Sequence, residues 1–256
     1  MIARYVYTAC LVALFLAAIY CSPLREPGYE IKDAALAGDP SAQMELARMY
    51  YLGDVVGQDM EQCLRWLNLA AEQKQPQALN TLGQFYLNGH GVPQDPAKGL
   101  ALVTEAAGLE HPQAQAYLAY AYGRGVGVEQ NLEKFLHWVV RASDNGDARS
   151  QFNLAILKLA GRLVDKDLPG ARELLILSAD QGYLEAQATL GELLVSGIDR
   201  EPDLVEACKW FAIAGSKGHQ RANSMLMAVV KSMTEAQMDE AADRATQWIA
   251  HHGGTR

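Results

Sequence analysis

The chain has 256 residues, half of them apolar and a fifth charged, with 22 Lys and Arg against 30 Asp and Glu for a formal net charge of −8. That length and apolar content suit one or two globular domains and exclude a disordered chain. The acidic balance argues against a nucleic-acid surface, which selects basic faces, and against simple adhesion to anionic lipid.

The first element is the segment 1–21, "MIARYVYTACLVALFLAAIYC", with Arg4 ahead of an apolar run from Val6 to Tyr20. As a helix that run spans roughly 22 Å, short of the ~30 Å hydrocarbon core, and it fits the apolar region of a secretory signal. The positive end is expected to stay cytoplasmic, so the chain after Cys21 is expected to be exported, on the periplasmic side. Three fates of the segment stay open: a lipoprotein signal with Cys21 as the lipidated residue, ordinary cleavage, or a retained anchor. Tyr20 is bulky where a lipoprotein signal has a small residue. Residues 22–30 read as a linker, 31–250 as the folded array and 251–256 as a polar tail.

From there the sequence repeats with a period of 36. Gly53, Gly89, Gly125, Gly161 and Gly197 form one column, and Leu46, Leu82, Leu118, Leu154, Leu190 and Leu226 another. Asp59, Asp95, Asn131, Asp167 and Asp203 form a third, and Ala34, Ala70, Ala106, Ala142, Ser178 and Ala214 a fourth. Trp66, Trp138 and Trp210 share one phase, with Leu102 and Leu174 filling the gaps. Repeats of this length are read as supersecondary units that bury their apolar faces by stacking.

Each unit reads as helix, turn, helix. In the second, a helix is expected at about 77–88, because Ala78, Leu82, Phe85 and Tyr86 fall on one helical face. Gly89 ends it, since the residue past a helix often needs a positive φ. Asp95 then caps the next helix and Pro96 occupies its first position, where no amide donor is lost. The "LNGHGVPQDPAKG" stretch is therefore a helix end, a turn and a helix start, with no Gly-Lys-Ser/Thr of a phosphate loop. His90 reads as a solvated loop residue. The tryptophans and Tyr50, Tyr86 and Tyr122 are expected in the core, with Cys63 and Cys208 as small buried or half-buried residues. The segment "MTEAQMDEAADRATQWIA" closes the array as a capping helix starting at Thr234.

These columns resemble the SEL-one-like repeat (SLR) family, relatives of the tetratricopeptide repeat. The second unit carries the pattern at Ala78, Leu82, Gly83, Tyr86, Gly89, Gly91, Val92, Asp95, Lys98, Ala106 and Ala107; the third at Leu118, Tyr122, Gly125, Gly127, Val128, Lys134, Trp138, Ala142 and Gly146. The fourth departs at Lys158, Leu163 and Leu174, and the fifth has "GIDREPD" in place of the Gly-x-Gly-Val turn. The resemblance covers about 31–249. It implies an all-α, right-handed α-solenoid of about five 36-residue helix-turn-helix repeats, then a half-repeat helix and a C-terminal capping helix.

By analogy with tetratricopeptide geometry, each first helix shows the inner groove at two before, two after and five after its column leucine. This gives Met44, Arg48 and Tyr51; Asn80, Gln84 and Leu87; Ala116, Tyr120 and Gly123; Phe152, Ile156 and Leu159; and Ala188, Glu192 and Val195. Tyr120, Phe152, Ile156 and Leu159 are expected to form an apolar patch rimmed by Gln84, Arg149 and Glu192, with the profile of a protein-binding hot spot. A more buried fourth helix is the competing reading.

No Gly-x-Ser-x-Gly, His-Glu-x-x-His or Cys-x-x-Cys is present, so no enzyme activity, cofactor or metal site is expected. His251 and His252 read as part of the tail. The resemblance implies a non-enzymatic adaptor or inhibitor in the envelope that binds a protein partner, bound to the membrane only through its N-terminal segment. Two alternatives stand beside it: an immunity protein against a type VI secretion phospholipase effector, and a cell-wall or β-lactam hydrolase. The latter is claimed for family members with regularly spaced cysteine pairs, which this chain lacks.

Overall fold

The structure, a computed structural model, describes residues 28–198 and 200–252. The expected signal segment and Cys21 lie outside the described residues. Among the described residues there are thirteen α-helices and no strand. No helix among them is long and apolar enough to cross a membrane. The chain divides after Asp95 into two compact units.

The first unit contains α1 (Tyr29–Leu36), α2 (Pro40–Leu52), α3 (Met60–Glu72) and α4 (Pro76–Asn88), each packed on the next. Leu46, Met49, Leu67, Ala70 and Leu82 are buried between them. The second unit begins with α5 (Pro96–Gly108), α6 (Pro112–Arg124), α7 (Leu132–Asp144), α8 (Ala148–Ala160) and α9 (Leu168–Asp180). It continues through α10 (Leu184–Ser196), α11 (Leu204–Ser216), α12 (Gln220–Val229) and a 3-10 turn to α13 (Glu235–His252). Its largest core joins Leu175, Leu190, Trp210, Phe211 and Ile213. Complete burial of one such leucine stabilises by roughly 1.5–3 kcal/mol.

The boundaries follow the sequence signals. The glycine column ends α2, α4, α6, α8 and α10 with left-handed φ values between 61 and 73°. Asp59, Asn131, Asp167 and Asp203 each accept a hydrogen bond from an amide three residues on, so every one of these second helices has a capped start. Thr234 and Gln237 form a reciprocal capping box at α13, with the Gln237 amide donating to Thr234 Oγ1 and the Thr234 amide to Gln237 Oε1. That helix packs on α11, where Trp248 meets Trp210 edge-on at 5.8 Å and donates to Asp180 Oδ1 at 3.2 Å.

Neighbouring helix pairs are also joined by a buried amide relay. Gln43, Gln115, Gln151 and Gln187 are buried and donate to the carbonyls of Ala35, Ala107, Ser143 and Ala179, each eight residues earlier. Gln73, Asn145 and Gln181 in turn donate to Oε1 of Gln43, Gln115 and Gln151. Gln187 Oε1 is buried with no such donor, because Lys217 holds the corresponding position. In the second repeat both positions are leucine, Leu79 and Leu109.

Several side chains depart from expectation. Trp66 and Trp210 are buried, but Trp138 is half-buried at the edge of a small cluster of Ala119, Val139 and Leu154. Tyr50, Tyr86 and Tyr122 are half-buried, as suits a ring whose hydroxyl needs a polar neighbour. His251 and His252 are the last residues of α13, and His252 stacks on Trp248 at 4.3 Å. Cys63 and Cys208 are buried free thiols; burial pushes Cys63 to about 11 and Cys208 upward, which suppresses the reactive thiolate.

Candidate protein-binding site

The position two residues after each column leucine is occupied by Arg48, Gln84, Tyr120, Ile156 and Glu192. A helix repeats its direction every 3.6 residues, so this position lies two residues, about 200°, round from the leucine that faces the core. In the first unit, Arg48 is exposed and grips Glu45 through two hydrogen bonds, 2.9 Å from Nε and 2.6 Å from Nη2. Gln84 is half-buried on α4. His90 is exposed, as expected, but its ring touches Tyr51 and Phe85 at 5.5 and 5.1 Å between centroids.

The second unit carries the apolar part. Tyr120 on α6 is 52% exposed and Ile156 on α8 is 37% exposed. They hold the same position of consecutive repeats. Beside Tyr120, one helical turn back, lies Tyr117, with ring centroids 6.4 Å apart. Tyr117 is half-buried, and burial, with a smaller contribution from Tyr120, pushes its phenol above the usual value. It stays a neutral hydrogen-bond donor.

Phe152 and Leu159, expected in the exposed patch, are half-buried and packed against the core that contains Leu175 and Leu190. Phe152 is covered on one side by Tyr183, 5.3 Å away. Two further positions expected to line the groove, Met44 and Ala188, are buried. The position two before the leucine sits closer to the packed side than the one two after it. The exposed residues of the expected patch are therefore Tyr120 and Ile156, with Phe152 and Leu159 as a supporting floor.

Of the residues expected at the rim, Arg149 is exposed at the start of α8. Glu192 is half-buried and fixed by Arg221, whose Nε and Nη2 each lie 2.7 Å from its carboxylate oxygens. Gln84 lies on a helix of the first unit and is described with it. Tyr117 and Tyr183 are the aromatic side chains missing from the sequence-based patch. A signal for Tyr117 was present, since its repeat position otherwise holds Glu45, Thr81, Asn153 and Thr189.

The exposed side chains of the patch are suited to binding. Two rings and one branched aliphatic offer apolar area that ends in the tyrosine hydroxyl groups. Among the described residues no cluster of three or more His, Cys, Asp or Glu could hold a metal ion.

The comparisons with known proteins agree with this architecture. No curated protein matches the chain in sequence. A Sel1 repeat protein from Oxalobacter formigenes has a similar structure, with a TM-score of 0.68 at 24% identity over 89% of this chain and 98% of its own. A protective antigen of uropathogenic Escherichia coli that displays an SLR fold gives a TM-score of 0.58 at 27% identity. That match covers 88% of this chain and 56% of the antigen. An immunity protein from Pseudomonas aeruginosa gives 0.49 at 18% identity, over 85% of this chain and 84% of its own. The Sel1 repeat model matches residues 40–74, 76–111, 112–147, 148–183 and 184–219, five consecutive units that coincide with the helix pairs from α2 to α11, and on those five matches the chain belongs to the Sel1 repeat family.

Proposed function

We propose that this chain is a non-enzymatic binding module that holds a protein partner on the first-helix face of its second unit, around Tyr120 and Ile156. Sel1 repeat proteins mediate protein–protein interaction. The observation that carries the reading is the exposure of a tyrosine and an isoleucine at one repeat position, where other repeats carry Arg48, Gln84 and Glu192. Large apolar side chains at a position otherwise polar gain free energy only when a partner removes them from water. Arg149 and Glu192 suit a polar rim, which fixes the orientation of the partner more than it adds affinity.

The partner belongs to the bacterial envelope on this reading. The support is the sequence of residues 1–21, a short apolar run behind a single arginine. The test is affinity capture from an envelope extract with the full-length chain as bait, beside the same bait carrying Ile156→Asp. A protein enriched by the native bait and lost from the variant is the expected result. A toxin in that fraction identifies the module as an immunity protein, and a sensor or assembly protein identifies it as an adaptor. Equal recovery on both baits contradicts the site.

A further inference from the structure

The two first helices that carry the exposed patch are basic in an acidic chain. The chain has 22 Lys and Arg against 30 Asp and Glu, yet α6 and α8 contain no Asp or Glu. Their charged residues are Arg124, Arg149 and Lys158. Lys158 is taken up by Asp167, 2.7 Å away. Arg124 and Arg149 are exposed, and neither has a hydrogen bond or ion pair among the described residues. The other arginines of first helices are compensated within the chain, Arg48 by Glu45 and Arg221 by Glu192.

Repeat symmetry shows where Arg149 stands. Glu192 lies two residues after its column leucine and Arg221 five before the next, and the two side chains meet at 2.7 Å. Tyr120 and Arg149 hold the same two positions two repeats earlier. Arg149 is therefore beside Tyr120, where a carboxylate meets Arg221. Arg124 lies one turn past Tyr120 on the same side of α6. By the same offset Glu185, exposed on α10, is beside Ile156. The face thus runs from positive at Tyr120 to negative at Ile156. A guanidinium presents a planar fork of donors that matches a carboxylate, and it keeps its charge at all relevant pH.

We propose that the partner presents a segment in which an Asp or Glu adjoins an apolar residue, with the carboxylate on Arg149 and the apolar side chain on Tyr120 and Ile156. The proposal rests on the reading that a protein partner occupies this face. The carboxylate supplies in trans what Glu192 supplies to Arg221 within the chain. An apolar neighbour that covers Tyr120 also removes water from the pair, which strengthens it. Arg124 adds a second positive charge at that end. Glu185 repels a carboxylate over Ile156, so the acidic residue is directed to the Tyr120 end.

The probe is a phage-displayed library of random linear peptides, panned on the full-length chain. The strongest peptide is then titrated calorimetrically beside its counterpart with Asp and Glu replaced by Asn and Gln. Enriched peptides are expected to pair an acidic with an apolar residue, and the amide counterpart to bind about tenfold more weakly. Arg149 is exposed, so Arg149→Gln is expected to fold normally, and on it the two peptides are expected to bind equally. Enriched peptides without acidic residues, or an acid preference kept in full on Arg149→Gln, overturn the proposal; if those peptides are lost on Ile156→Asp, the binding face itself stands. Peptides that bind Ile156→Asp as well as the native chain overturn the face and the proposal together. A library that yields no enriched peptide overturns the proposal and leaves the face to the capture experiment.

Discussion

A Cβ on Gly191 would lie 2.6 Å from a carbon of the Phe211 ring. Phe211 is fully buried, so the ring has no room to withdraw. The two positions are matched across repeats. Ala119 shares its cluster with Val139, and Ala155 with Leu175, at the corresponding places. The fifth repeat sets Gly191 against Phe211, while the second has glycine, Gly83, at the same place with the smaller Val103. Gly191→Ala is therefore expected to destabilise by about 1–3 kcal/mol, the usual cost of overpacking. Phe211→Leu in the same chain is expected to recover most of that loss. Thermal melting of the single and double variants checks both, and additive losses contradict the matched pair.

The amide relay makes a second prediction. Gln151→Leu removes the hydrogen bonds to the Ser143 carbonyl and from Gln181, and is expected to cost about 1 kcal/mol. Gln151→Leu with Gln181→Leu removes donor and acceptor together, as at Leu79 and Leu109, and is expected to cost less than the first change alone. Conversely, Lys217→Gln offers Gln187 Oε1 the donor it lacks and is expected to stabilise by about 1 kcal/mol. Chemical denaturation of the three variants decides. A double variant worse than the single one contradicts the relay.

What was legible in the sequence was local. Gly53, Gly89, Gly125, Gly161 and Gly197 end helices because a positive φ is a property of one residue and its neighbours. The Asp and Asn column starts helices for a similarly local reason. Exposure was less legible, because it depends on how helices lie against each other. Met44, Phe152, Leu159 and Ala188 were assigned to the groove by analogy, and packing draws them toward or into the core. The glutamine relay was visible as a 36-residue spacing, yet glutamine on a helix is ordinarily read as a surface residue. Arg149 and Tyr120 belong to different repeats, and only the contact of Arg221 with Glu192 at the same positions shows them to be neighbours.

His111 gives a pH dependence. Its Nδ1 accepts the Ala114 amide at the start of α6, and burial holds its imidazole below the ordinary value. The unfolded chain takes up a proton near pH 6.5 and the folded chain only at lower pH. This contribution is thus fully present above about pH 6.5 and is lost as the pH falls below it. His111→Asn keeps a capping oxygen and removes the titration. Its melting temperature is expected to fall less than that of the native chain between pH 7.5 and 5.5. An equal fall in both contradicts the assignment.

The most direct test of partner binding at Tyr120 and Ile156 is a calorimetric titration of the captured partner, run beside circular dichroism melting. The variants are Ile156→Asp, Tyr120→Ala, Leu154→Asp and His90→Ala. Ile156→Asp and Tyr120→Ala are expected to fold normally and to weaken binding by about 2 kcal/mol or more each, roughly thirtyfold. Leu154, only 6% exposed, faces the core, so Leu154→Asp buries an unpaired charge and is expected to unfold its repeat. His90→Ala is expected to change neither property. If Ile156→Asp and Tyr120→Ala both fold and bind like the native chain, the partner does not use this face and the proposed site is wrong.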